Sequence, residues 1–239
     1  MNKIPGGLLI VFEGIDGAGK TTQAALLAQH FGQLGYPVVM SKEPTNRKWG
    51  SVLRESAESG RLTKEREKEL FLLDRKEHVE HVINPALNEG MIVILDRYFY
   101  STAAYQSESA DEVSPILCAN EEFAPVPDRL IVLDVNPEHG IRRIIARGDL
   151  PNSFESEGQL THAGEIFRSL DRLDYCRVID GDRSLSKIHV EIVHIAKSAA
   201  MNKLAEDQGL TEEAVNDTLA LFGGEPLANT HSETRVEGQ

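Results

Sequence analysis

Gly14-Ile15-Asp16-Gly17-Ala18-Gly19-Lys20-Thr21 is the stretch from which the rest of the chain can be read. It fills G-x-x-x-x-G-K-[ST] at every fixed position, directly after the apolar run 8–12 and directly before a stretch of helical periodicity. The chemistry explains each residue type. Gly14, Gly17 and Gly19, with Ala18 among them, let the backbone N–H groups turn inward around an anion, and the helix starting near Gly19 adds its positive dipole end. Lys20 is placed to reach the terminal phosphates of a nucleotide, and the Thr21 hydroxyl to ligate Mg²⁺, with Thr22 following in the first helical turn. A tight turn needing flexible residues is the bland alternative, and motif and context together argue against it.

Outward from the cradle, short apolar or β-branched runs alternate with long amphipathic stretches. That pattern gives a parallel sheet covered by helices on both faces. Strands are predicted at 8–12, 37–41, 91–95, 130–134 and 177–180, and helices at 20–32, 64–88, 137–147 and 184–199. Pro85 is expected to bend the second helix. The fold class is therefore α/β: a three-layer, doubly wound, five-stranded parallel sheet carrying a P-loop. The domain is expected to span 1–200. Beyond it, 201–239 is read as an acidic extension, with basic residues only at Lys203 and Arg235, one helix at 211–222 and then a poorly ordered remainder.

The bulk properties narrow the function. A formal net charge of −13 over 239 residues argues against broad contact with nucleic acid or an anionic membrane, but not against small phosphorylated ligands held by local donors. No apolar run has membrane-spanning length and the start lacks a signal-peptide core, so a cytoplasmic protein is expected. Cys118 and Cys176 stand apart from any histidine pairing, which leaves two ordinary thiols. His78 and His81, three apart on a charged helix, read as a solvated face rather than a metal site.

A cradle alone does not separate kinases from switches or ATPases. The guanine-reading string Asn-Lys-x-Asp does not occur in the chain. Asp96-Arg97-Tyr98 closes the third predicted strand, where open α/β sheets place ligand-contacting groups. Asp96 can hold Mg²⁺ directly or through water and Arg97 can grip an acceptor phosphate bidentately; a surface ion pair is the alternative.

Taken in order, 12–23, Lys42-Glu43-Pro44-Thr45, Asp96-Arg97-Tyr98 with Ser101, and Ala104-Tyr105-Gln106 closely resemble thymidylate kinases. Arg147-Gly148 with Phe154-Glu155, and Val178-Ile179-Asp180-Gly181, extend the likeness over 8–199. The resemblance implies ATP-dependent phosphorylation of dTMP, with ATP and Mg²⁺ as cofactors and a homodimer packed through helices. It puts Asp16 near the sugar 3′-hydroxyl and the acceptor phosphate. Phe71 would stack on thymine and Arg75 would bond a thymine oxygen. Lys42, Glu43 and Pro44 would form a turn beside the phosphate held by Arg97, while Thr102, Tyr105 and Gln106 line the nucleoside pocket. Tyr105 would sit where a ribose 2′-hydroxyl projects. Core packing is the alternative for Phe71, whereas Arg75 is expected not to be core.

The lid implied at 147–160 carries Asp149, Glu155 and Glu157 but no cation after Arg147, and the loop has Ala18 where some members have arginine. Arg147 is therefore expected to serve the transferring phosphoryl group, with Arg143 second. The segments after Pro44 and after Gln106 depart from the family pattern on the acceptor side. A kinase for another pyrimidine nucleotide, or a nucleotide-binding regulator with weak turnover, are the rival readings.

Overall fold

The computed structural model describes residues 2–60, 62–107, 109–148 and 157–209. Five parallel strands, β1 (Leu8–Glu13), β2 (Val38–Lys42), β3 (Ile92–Asp96), β4 (Arg129–Asp134) and β5 (Cys176–Asp180), form one sheet in the order β2-β3-β1-β4-β5. β1 and β3 are buried at every position, which is why they read as unbroken apolar runs rather than alternating ones. The chain leaves β1 toward β2 on one side and β4 toward β5 on the other, so a crevice opens at their carboxyl ends.

Helices cover both faces. Among the described residues they are α1 (Lys20–Gln33), α2 (Lys48–Ser59), α3 (Lys64–His78), α4 (Asn84–Asn88), α5 (Phe99–Gln106), α6 (Val113–Glu121), α7 (Pro137–Ala146), α8 (Glu157–Ser169) and α9 (Leu185–Asp207). α1 and α9 pack on each other and on β1, while α8 packs on β4 and on α5, which in turn meets α3.

The expected helix 64–88 is interrupted. A π turn at Val79–Ile83 separates α3 from α4, because Pro85 has no N–H to return and its ring would crowd the carbonyl one turn earlier. α9 overruns the expected boundary at 200. Its buried face there is built from Ala196, Ala199, Ala200 and Ala205, and Lys203 Nζ ties it to the Gly7 carbonyl at 2.7 Å and to Asp128 at 3.0 Å. Alanine gives almost no apolar contrast, so the periodicity was invisible. The expected helix 211–222 and the lid segment 149–156 lie outside the described residues, while 157–160, assigned to the lid, form the first turn of α8.

Helices α2, α5, α6 and α8 had no counterpart in the sequence reading. α5 opens with Phe99-Tyr100-Ser101-Thr102, residues of poor helix propensity, and tertiary packing overrides that preference: Phe99 and Tyr100 are fully buried.

Candidate active site

The segment 14–19 turns from β1 into α1 with φ of 134° at Gly14, 80° at Gly17 and 96° at Gly19. Contacts leave no room for side chains at two of these: a Cβ at Gly14 would strike the Leu133 carbonyl, and one at Gly17 the backbone of Gly140 in α7. No side chain caps α1, so its first-turn N–H groups remain directed at the loop, the arrangement that receives phosphate. Lys20, 6% exposed, donates from Nζ to the carbonyls of Gly14 (2.9 Å) and Ile15 (2.8 Å), which curls the loop around its ammonium. Burial, reinforced by the Arg97 charge, lowers the Lys20 pKa to about 8 against the pull of Asp16.

Arg97 enters from the end of β3. Its backbone is left-handed, with φ of 73°, at a cost on the order of 1 kcal/mol that the surrounding bonds must offset. Its N–H donates to the Phe12 carbonyl at 2.9 Å; Nη2 donates to Asp16 at 2.6 Å, and Nη1 to Ser101 Oγ at 2.9 Å and to the Gly14 carbonyl at 3.4 Å. Burial alone would raise the Asp16 carboxyl, but the Arg97 and Lys20 charges outweigh it and hold Asp16 below the usual carboxylate range. Tyr105 donates its hydroxyl to the other Asp16 oxygen at 2.9 Å, and its ring lies 5.3 Å from the Arg97 guanidinium carbon. Beside this cluster the Thr21 hydroxyl donates to the Asp96 carboxylate.

A pocket runs from Asp16 and Arg97 along α5 to α3 and α2. Phe71, Arg75, Thr102, Tyr105, Gln106, Glu43 and Pro44 all line it, together with Arg54 and Glu67. Phe71 is half-buried on this wall. Arg75, expected to stay out of the core, is 1% exposed. It can be buried because Glu43 accepts from Nε at 2.8 Å and pairs with Nη2 at 2.8 Å, while Asn120 accepts from Nη1 at 2.7 Å and Thr102 from Nη2 at 3.1 Å. His78, read as solvated, is also buried, bonding Glu43 through Nδ1 at 3.0 Å and Ser41 through Nε2 at 2.8 Å; only His81 is exposed as expected. Gln106 is buried, its Nε2 donating to Glu67 at 3.1 Å.

Lys42 is exposed at the end of β2 and does not line the pocket. Arg143 touches the cradle, donating to the Gly17 carbonyl at 3.4 Å and to Asp182 at 3.2 Å. Arg147 sits exposed one turn later, at the end of α7. Arg168 pairs with Asp134 at 3.0 Å.

The model of the thymidylate kinase family matches residues 12–192. The chain belongs to the thymidylate kinase family. It is 51% identical over 193 residues to a thymidylate kinase of Xanthomonas campestris pv. campestris (strain B100), covering 79% of this chain and 84% of that one. A thymidylate kinase of Xanthomonas euvesicatoria pv. vesicatoria (strain 85-10) is 46% identical over 222 residues, covering 93% and 97%. Among solved structures, thymidylate kinase from Ehrlichia chaffeensis superposes with a TM-score of 0.61 at 29% identity, over 81% of this chain and 99% of that one.

Four residues of this thymidylate kinase family member's site escaped the sequence reading. Glu13 stood inside the quoted motif without a role, although a glutamate ending an otherwise apolar strand is itself a signal. Gly140 presses α7 against the loop, with room for no Cβ. Asn120 reaches Arg75 from 45 residues away, and Arg54 donates to the Pro44 carbonyl at 3.0 Å. The last three carry no local pattern.

Proposed function

We propose that the protein transfers the γ-phosphoryl group of ATP to dTMP, giving dTDP for dTTP synthesis. One observation carries the reading. The lysine of the phosphate cradle and the arginine of the acceptor side both reach the same Gly14 carbonyl oxygen, at 2.9 and 3.4 Å, so two phosphate-binding cations converge on one cleft. A donor phosphate on the loop and an acceptor phosphate on Arg97 would then meet end to end.

Phosphoryl transfer asks little covalent help; alignment and charge neutralisation do most of the work. Lys20 and the amides of Gly14, Gly17, Ala18, Gly19, Thr21 and Thr22 hold the donor. Arg97, aimed by Asp16 and Ser101, holds the acceptor. Phe71, Arg75, Thr102, Tyr105 and Gln106 hold the nucleoside, with Glu43 and Pro44 closing the turn above it and Lys42 free to swing in from the rim. Arg143, already on the Gly17 carbonyl, is placed to neutralise the moving group, with Arg147 following it at the end of α7.

The adjoining Thr21 hydroxyl and Asp96 carboxylate are two hard oxygen donors at the cradle's edge, a set that fits Mg²⁺, which keeps several waters and takes phosphate oxygens as further ligands. When bound, the ion supplies positive charge to the phosphate oxygens. Among the described residues no cluster of three or more His, Cys, Asp or Glu suits a metal. No helix among them is long and apolar enough to cross a membrane. A cytoplasmic homodimer is the working assembly.

A coupled assay of ATP consumption against the common nucleoside monophosphates tests this. Dependence on dTMP above the others is expected. Preference for another pyrimidine nucleotide would move the assignment to that substrate, and tight ATP binding with transfer to none would overturn the enzymatic reading.

A further inference from the structure

Glu13 is the last residue of β1, and its side chain is completely buried. Its two oxygens accept three hydrogen bonds, all from the turn that begins α5: Oε1 from the Tyr98 N–H (2.8 Å) and the Ser101 N–H (3.0 Å), Oε2 from the Ser101 hydroxyl (2.6 Å). α5 has no side-chain cap of its own, so this carboxylate, supplied from another element, takes that place. The same Ser101 oxygen accepts from Arg97 Nη1 at 2.9 Å. Donating forward to Glu13 fixes the hydroxyl hydrogen away from the arginine, which leaves a lone pair to receive the guanidinium.

We propose that Glu13 is the positioning residue for Arg97: it locks the turn 97–101 to the end of β1 and, through the Ser101 hydroxyl, sets the face that the guanidinium turns toward the acceptor phosphate. This deepens the phosphotransfer reading and rests on it.

Three features of the geometry support the assignment. Arg97 holds a left-handed backbone that a non-glycine residue abandons unless neighbours enforce it, and the N–H groups on either side of its turn are fixed to Phe12 and Glu13, adjacent residues of one strand. A neutral residue of the same size could fill the volume, yet the position holds an acid that burial pushes up to about 7 in spite of the Arg97 charge and three hydrogen bonds. The other guanidinium nitrogen is held independently by Asp16 at 2.6 Å, and the Ser101 oxygen, at 2.9 Å, is a closer partner of Nη1 than the Gly14 carbonyl at 3.4 Å, so the Glu13–Ser101 arm governs how the guanidinium turns about the Asp16 contact.

The experiment is a double-mutant cycle on the full chain with Glu13→Gln and Ser101→Ala, read as kcat and KM for dTMP and for ATP. Glutamine keeps the shape and one accepting oxygen but cannot accept the Ser101 hydroxyl at the second position. Each single variant is expected to lower kcat/KM for dTMP at least tenfold while KM for ATP changes less than threefold. The double variant is expected to fall no more than about threefold below the worse single, because both substitutions cut one arm. Single variants within twofold of wild type, losses that multiply in the double variant, or equal damage to the ATP side would each overturn the proposal. If Glu13→Gln does not fold, Glu13→Asp, whose shorter side chain withdraws the carboxylate from the Ser101 hydroxyl, is read by the same split between the two substrates and against the same limits. Wild-type protein without dTMP turnover would instead refute the phosphotransfer reading.

Discussion

Replacing Gly140 by alanine tests whether the phosphate cradle is held in shape by α7. A Cβ on Gly140 would lie 2.6 Å from the Asp16 carbonyl oxygen and 3.3 Å from Ile15 Cδ1. Carbon and oxygen normally approach no closer than about 3.3 Å, so the helix and the loop must separate by roughly 0.7 Å. Overpacking of this size costs about 1–3 kcal/mol, and at about 2–4 °C per kcal/mol the melting temperature should fall by roughly 2–12 °C. The catalytic loss should be larger than the stability loss suggests. The displaced atoms belong to the residue that aims Arg97, and misplacement approaching 1 Å costs up to about a hundredfold in rate. Steady-state kinetics and thermal melting of Gly140→Ala would be set beside Gly32→Ala, in α1, where nothing lies within 4 Å of the added carbon and the helix should gain up to about 1 kcal/mol. If the two variants behave alike, α7 does not brace the loop.

Four further outcomes are expected. Lys20→Ala should abolish transfer while dTMP binding, followed by calorimetry, stays within about threefold of wild type. In the wild-type protein KM for ATP should rise as pH passes about 8, because the phosphate-binding ammonium exists below its lowered pKa and is lost above it. Arg75→Ala strands Glu43 inside the protein without its guanidinium, and urea unfolding should show a loss of about 3–5 kcal/mol; an unchanged midpoint would mean that water solvates the site. Glu13 has a folded pKa raised from 4.5 to about 7, so its contribution to stability is fully present below pH 4.5 and is lost as pH rises through 7. The interval corresponds to about 3 kcal/mol, and a Glu13→Gln variant should show a flatter stability profile across it by urea unfolding at several pH values.

Much of this architecture is written locally. The cradle, its lysine and the strand ahead of it form one contiguous string, and the strands β1 and β3 announce themselves because burial on both faces demands apolar residues at every position. Phe71 and Arg75 were legible as a pair one helical turn apart, and both line the pocket. What failed was polarity. Arg75 and His78 were judged by their own hydrophilic character, whereas their burial depends on Glu43, Asn120 and Thr102, which arrive from three other segments. The Arg143 contact was hidden for a related reason: the helix phase that turns Arg143 onto Gly17 follows from the contact of Gly140 with the loop, not from distance along the chain.

By itself, then, the sequence determined the parallel sheet, the anion cradle and the class of chemistry, since these follow from residue types at fixed short spacings that constrain their own backbone. Only the tertiary structure decided which charges are buried, which partner satisfies each of them, and that Lys20 and Arg97 share one carbonyl oxygen. Such pairings join residues far apart in the chain, 88 positions in the case of Glu13 and Ser101, and a hydrogen bond depends on ångström-scale geometry that no spacing along a chain encodes.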